Sequence, residues 1–344
     1  MRNNSRKMLD ELSADIRSGK LRAGFALPSE SLLGVRYRIS RPTVRRVLDK
    51  LVERKLVEKR PGIGSFVRAW KQAENAYMYD TFNVGLVVNS AEQIFPHYSA
   101  LILEGIGASP YGKSAYLKPL TGDIDCGALR ETGINGLLIT RRNEIPGDLR
   151  ECPCPAVVCN APAPLPGVGS VRVDHRLESR RGMAHLLRCG YKNIAVIGGS
   201  SKEPESTTGQ RYLGCLDAFR EADRPAPEHL HLEGSSKAVP SREEMTQFIR
   251  EKTFDAAFFV NGAHFIRFIP YFDLLSGRKM RDLPSVVFDN IEPFPELADI
   301  PCAYIRMPLR KFGECAIEFL RKKAHDPDCP VLDKVFNCEM IIRY

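Results

Sequence analysis

The 344 residues include one tryptophan, seven histidines and no apolar run of membrane-spanning length, which would need roughly 18 residues or more. The shortage of histidine removes most of the side chains that titrate near neutrality or bind transition metals. The opening Met-Arg-Asn-Asn-Ser-Arg-Lys runs into a charged amphipathic stretch without the apolar core of a secretory signal, so a cytoplasmic location is expected. Ten cysteines are too sparse for a disulfide scaffold, and reduced, mostly buried thiols are expected. Cys152 and Cys154 form a C-x-C pair, but no second pair stands at a zinc-site spacing, so neither a metal site nor a cofactor is expected. Also missing are G-x-G-x-x-G, G-x-x-x-x-G-K-[ST] and G-x-S-x-G, so nothing calls for a dinucleotide, a triphosphate or a serine nucleophile.

What is present is uneven. The net charge of the chain is +8, yet residues 1–70 alone carry 17 basic and 7 acidic side chains, so the remainder is slightly acidic. A small basic domain attached to a larger neutral one suggests a polyanionic partner for the first. The length exceeds one ordinary domain, and 43% hydrophobic content is ample for packed cores.

Met8, Leu9, Leu12 and Ile16 recur at helical spacing up to Gly19. After Leu27-Pro28, Ser29 can cap a second helix carrying Leu32 and Leu33 and ending near Tyr37. Ser40 can cap a third, with Pro42 in its first turn, where a missing N–H costs nothing. On that helix Val44, Val47, Leu48 and Leu51 form the inward stripe, leaving Arg41, Thr43, Arg45, Arg46 and Lys50 largely outside it. Arg41 and Arg45 project together near the helix N-terminus, the end that enters the major groove in helix-turn-helix proteins, where a guanidinium reaches guanine O6 and N7. Leu56 to Arg60 and Ser65 to Arg68 read as a hairpin around Pro61-Gly62-Ile63-Gly64, a wing whose glycines admit close approach to a phosphate. Taken singly, these arginines could be a solvated helix face; the order of elements and the charge asymmetry favour DNA.

The runs L-P-S-E-S at 27–31, S-R-P-T-V-R-R at 40–46 and P-G-I-G-S-F-V at 61–67 resemble the GntR-type winged helix-turn-helix. The resemblance implies DNA contacts by Ser29, Arg41, Thr43, Arg45, Arg46, Gly62 and Gly64. Ser31 stands where many members carry a further DNA-contacting arginine, and Lys55 where a glycine usually precedes the wing.

Residues 71–81 are polar with isolated aromatics and no sustained period, and read as a linker. Beyond it, short apolar runs (Val84–Val88, Gly136–Ile139, Ala156–Cys159, Ile194–Ile197, Ala256–Val260, Ser285–Phe288) alternate with amphipathic segments (Ser179–Cys189, Gln210–Ala222, Ser241–Lys252, Ala263–Ser276). Alternation of this kind predicts parallel α/β layers, with ligands at the carboxyl ends of the strands. Those ends carry Asn89, Asn160, Asn261 and Asp289, polar groups suited to a polyhydroxylated or heterocyclic ligand, although each is also a common turn former.

The stretches V-G-L-V-V (84–88), I-N-G-L-L-I (134–139), V-D-H (173–175), H-L-L-R-C-G-Y-K-N-I-A-V-I-G-G (185–199), R-Y-L-G (211–214) and V-V-F-D-N (286–290) make residues 82–344 similar to the sensor domain of the lactose-repressor (LacI/GalR) family. The combination is that of arabinose-repressor-like regulators. The fold class implied is α/β: a small winged helix-turn-helix at 1–70 and a two-lobed, periplasmic-binding-protein-like α/β domain at 82–344. Its lobes would comprise 82–173 with 305–325 and 174–303 with 330–344, crossing near Val173, Tyr304 and Pro327. The resemblance places effector contacts at Asn89, Phe95, Asn160, Thr207, Arg211, Asn261 and Asp289. Asn160 replaces a frequent aspartate, and Gly262 an acidic residue common after Asn261. An ion pair between Arg211 and Asp289 without a ligand is the structural alternative.

The expectation is therefore a homodimeric DNA-binding regulator, a repressor controlled by a sugar or sugar derivative, and not an enzyme. A regulator whose large domain only dimerises, and an α/β enzyme, are the competing classes. His229 and His231 read as surface or packing residues, and the Schiff-base lysine of an aminotransferase-like domain has no recognisable setting.

Overall fold

The computed structural model describes residues 2–17, 21, 24–54, 56–61, 63–68, 81–87, 96–120, 125–140, 149–234 and 239–343. The expected linker, apart from Thr81, lies outside the described residues, as do Gly62, Asn89 and Phe95. The chain divides into two compact units, Met1–Asp80 and Thr81–Tyr344.

In the first unit α1 (Arg2–Arg17), α2 (Glu30–Tyr37) and α3 (Arg41–Glu53) precede an antiparallel hairpin of β1 (Val57–Arg60) and β2 (Gly64–Val67). Ser29 caps α2 by accepting from the Leu32 amide at 3.3 Å. Arg38 adopts the left-handed conformation (φ 53°) that ends the helix and allows a tight turn into α3. The stripe expected on α3 is buried in full, against Met8, Leu9 and Leu12 of α1 and Leu33 and Tyr37 of α2. Leu32, in contrast, is 63% exposed, because its neighbour Leu33 takes the inward position.

Among the described residues, the second unit holds two six-stranded sheets. The strands of the first, in the order β13-β7-β6-β5-β3-β4, are β3 (Phe82–Val87), β4 (Ala115–Leu120), β5 (Gly136–Ile139), β6 (Ala156–Cys159), β7 (Gly169–Val173) and β13 (Asp333–Phe336), and all pair in parallel. α4 (Pro96–Ala108) and α9 (Leu309–His325) pack together in this lobe. The second sheet, β14-β12-β11-β10-β8-β9, is built from β8 (Ile194–Ile197), β9 (His231–Leu232), β10 (Ala256–Phe259), β11 (Ser285–Phe288), β12 (Ala303–Arg306) and β14 (Glu339–Ile342). Only β14 in this sheet runs antiparallel to its neighbour.

Alternate residues of the second sheet enter different cores. Ile194, Val196, Phe258 and Phe288 pack with side chains of α5 (His175–Arg188) and α6 (Thr207–Glu221). Ala195, Ile197, Phe259 and Val287 pack with those of α7 (Arg242–Glu251) and α8 (Gly262–Leu275). Burial on both faces is why these strands are continuously apolar in sequence.

The chain crosses between the lobes three times, and two crossings differ from expectation. The first follows Val173. The second leaves β12 after Arg306, because Tyr304 is an interior residue of that strand, paired with Ile341. The third falls between β13 and β14, not at Pro327, so residues 333–336 belong to lobe one rather than lobe two. There they pair with β7, a placement extended by the Ser170 amide donating to the Leu332 carbonyl at 2.7 Å.

The α4–α9 contact depends on two glycines. A β-carbon on Gly105 would stand 1.9 Å from the Arg310 carbonyl oxygen, and one on Gly313 would stand 2.0 Å from that of Ile102. Backbone cannot yield as a flexible side chain can, so Gly105→Ala is expected to destabilise the second unit by about 1–3 kcal/mol. A urea midpoint for that unit, followed by circular dichroism, should fall accordingly; an unchanged midpoint would show that the helices can part without cost.

Candidate functional site

In the first unit the exposed end of α3 is organised around a carboxylate that the sequence reading passed over. Glu30, at the start of α2, accepts from Arg45 Nε at 2.8 and 3.0 Å, and its Oε2 lies 4.0 Å from Arg41 Nε. The two arginines thus flank one anchor, with 64% and 61% of their side chains exposed. The signal was present in L-P-S-E-S, where the residue after an N-cap serine opens the helix. Ser40 and Thr43 share a hydroxyl contact of 2.8 Å, and Arg46 is exposed. In the wing Gly64 takes φ +143°, while Lys59 pairs with Asp49 and Arg60 with Glu58, so those cations are neutralised locally. Ser29 contributes its hydroxyl oxygen to the α2 cap.

In the second unit Arg211 lies 4% exposed on α6. Its Nη1 donates to the Val260 carbonyl at 2.7 Å and its Nε to His175 Nδ1 at 3.2 Å. Nη2 lies 3.5 Å from Asp289 Oδ1, and the guanidinium carbon lies 3.8 Å from the centroid of the Phe288 ring. Asp289 uses its other oxygen to accept from the Gly262 amide at 2.9 Å, at the N-terminus of α8, where the helix dipole favours negative charge. Burial pushes the Arg211 pKa down, and Asp289 opposes that push. Tyr98, on α4 in lobe one, is close enough to contribute to the same balance.

The other expected contacts divide. Asn261 caps α8 through Oδ1, accepting from the His264 amide at 2.8 Å. Thr207 is the half-buried first residue of α6. Asn160 follows β6 in the left-handed region (φ 62°), which asparagine tolerates, and its buried Oδ1 has no hydrogen-bond partner. The structure therefore brings Arg211, Asp289 and Asn261 together at the carboxyl ends of β10 and β11. It adds His175, Phe288 and Met307 to the Arg211 surroundings. His175 lies within the V-D-H stretch but carries no role in the sequence reading; its proximity to Arg211 is a tertiary fact.

The comparisons bear on both units. Residues 4–67 match the model for bacterial regulatory proteins of the gntR family. The first domain is a gntR-type domain. Over 106 residues the chain is 32% identical to the mannosyl-D-glycerate transport/metabolism system repressor of Escherichia coli; the match covers 31% of this chain and 43% of that protein. It is 23% identical to the arabinose metabolism transcriptional repressor of Geobacillus stearothermophilus over 98% of this chain and 96% of that one. A LacI family transcriptional regulator from Enterococcus faecium, solved with bound ribose, superposes with a TM-score of 0.62 at 17% identity, covering 76% of this chain and 97% of that one. The second unit has the LacI-regulator fold.

His264 faces the same region, 1% exposed, and neither ring nitrogen has a hydrogen-bond partner. Burial, with Arg267 and Arg211 nearby, lowers its pKa from 6.5 to about 4. Between those values the ring is charged in the unfolded chain and neutral in the folded one. The unfolded form then binds more protons, so stability falls as the pH drops from 6.5 to about 4. The expected loss is about 3 kcal/mol across that window. Calorimetry from pH 7 downward should show it, with a shallower slope in His264→Gln; equal slopes would place the titration elsewhere.

Proposed function

We propose that this protein is a DNA-binding transcriptional repressor whose operator affinity is controlled by a sugar or sugar derivative bound between the two lobes of its second unit. The observation that carries this reading is the buried Arg211–Asp289 pair at the strand ends of a LacI-type fold, in a chain that begins with a gntR-type domain. The relatives support it by name: one is a repressor of mannosyl-D-glycerate metabolism and another of arabinose metabolism.

In this reading Arg41, Thr43, Arg45 and Arg46 address the major groove, Ser29 helps to seat α2 on the backbone, and Gly62 and Gly64 bring the wing to the phosphates. Glu30 holds the Arg45 side chain through Nε before DNA arrives, which reduces the conformational entropy lost on binding. Arg211 and Asp289 offer a donor fork and an acceptor to vicinal hydroxyls, with Asn89, Phe95, Asn160, Thr207 and Asn261 completing the cleft. The protein acts as a cytoplasmic homodimer on a pseudo-palindromic site and has no catalytic role. Ligand closure of the lobes changes operator affinity, a coupling of about 1–3 kcal/mol in typical cases.

Two measurements test the halves separately. On a duplex selected from a randomised pool, Arg45→Ala should weaken binding by about 1–3 kcal/mol and relax one base preference. Undiminished affinity and specificity would remove Arg45 from the interface. A thermal-shift screen against monosaccharides, sugar acids and disaccharides should find one stabilising class, and Arg211→Lys should lose that stabilisation. Silence across the screen, with DNA binding intact, would instead favour a second unit kept for dimerisation.

A further inference from the structure

We propose that the Arg211 guanidinium ties together the first two chain crossings between the lobes directly and the third through α5, and that His175 is the positioning residue fastening it to the first and to α5. His175 opens α5 immediately after the first crossing, and its Nδ1 accepts from Arg211 Nε at 3.2 Å. Met307 lies on the second crossing, with its sulfur 4.0 Å from Arg211 Nη2. The main chain of Met307 is clamped by Asn290, which accepts from its amide at 2.9 Å and donates to its carbonyl at 3.0 Å. Asn290 follows Asp289, the carboxylate paired with that same Nη2. Cys338 lies on the third crossing. Its amide donates to Glu178 Oε1 at 3.0 Å, one helical turn beyond His175 on α5, so α5 carries the link from Arg211 to this crossing.

The His175 bond has a strict chemical requirement. An arginine N–H can donate only to a ring nitrogen that carries a lone pair, so the imidazole must be neutral with its proton on Nε2. Burial, assisted by the neighbouring guanidinium, lowers the His175 pKa well below its ordinary value and keeps the ring in that state. A ligand that draws Nη2 toward itself would then displace a group in contact with the first two crossings and joined to the third through α5. That last step rests on the proposed effector reading; the tie itself does not.

The tie is tested on the full-length protein with no ligand added, by hydrogen–deuterium exchange of peptides covering 172–176, 305–309 and 335–340. His175→Leu removes the acceptor and should accelerate exchange about tenfold in all three peptides while leaving those of β5 and β10 unchanged. His175→Gln, whose side-chain carbonyl can accept from Nε, should restore protection at 305–309 and 335–340. Acceleration confined to 172–176, or spread equally through β5 and β10, would overturn the proposal. If His175→Leu does not fold, Arg211→Lys serves instead, and the same three-peptide signature is required. A failed sugar screen leaves this signature standing, so the two readings fail independently.

Discussion

The strand ends of the second unit are organised around a buried positive charge, that of Arg211. Arginine cannot deprotonate inside a protein, so Arg211 must be compensated where it stands, and taking such a charge out of water costs several kcal/mol. A carboxylate at 3.5 Å, a carbonyl at 2.7 Å, an imidazole lone pair and an aromatic face share that task. They come from three stretches of chain, the ends of β10 and β11 and the start of α5, and Asp289 adds a link to the start of α8. Moving any of them exposes the charge to an imperfect environment. The strand-end geometry is therefore maintained by electrostatics as well as by packing.

Both lobes use glycine at a helix contact: in lobe two a β-carbon on Gly214 of α6 would stand 2.2 Å from the Arg176 carbonyl oxygen of α5. In lobe one, glycine lets α4 and α9 approach at backbone distance. In lobe two, aromatic side chains fill the space beneath α7 and α8, with Phe259 edge-on to both Phe265 and Phe268. Such interiors are close-packed and repack poorly, which favours rigid-body motion of whole lobes over gradual deformation. The crossings are where that motion must be absorbed, and it is there that the polar contacts of Asn290, Glu178 and His175 gather.

The first unit shows a similar economy on a smaller scale. Glu30 is a negative charge on a face that otherwise favours polyanions, and its value lies in orientation: it holds Nε of Arg45 while the side chain stays largely exposed. The carboxylate thus trades some attraction for geometry, and in a groove geometry is what distinguishes one base edge from another.

The sequence by itself determined the elements whose signal is local. The α3 stripe, the helix cap at Ser29, the wing, and the six strands buried on both faces were legible because periodicity and capping act over a few residues. β4, β7, β12, β13 and β14 were not legible, since edge or partly exposed strands such as Asp333–Phe336 lack a continuous apolar run. The sheet membership of β13 was set by pairing with β7, more than a hundred residues away. Arg211 and Asp289 could be singled out by resemblance to a family, but not the company they keep. His175 and Met307 meet one guanidinium, and Cys338 joins them through Glu178, only because three separate crossings return the chain to the same place, and no window of sequence contains that distance.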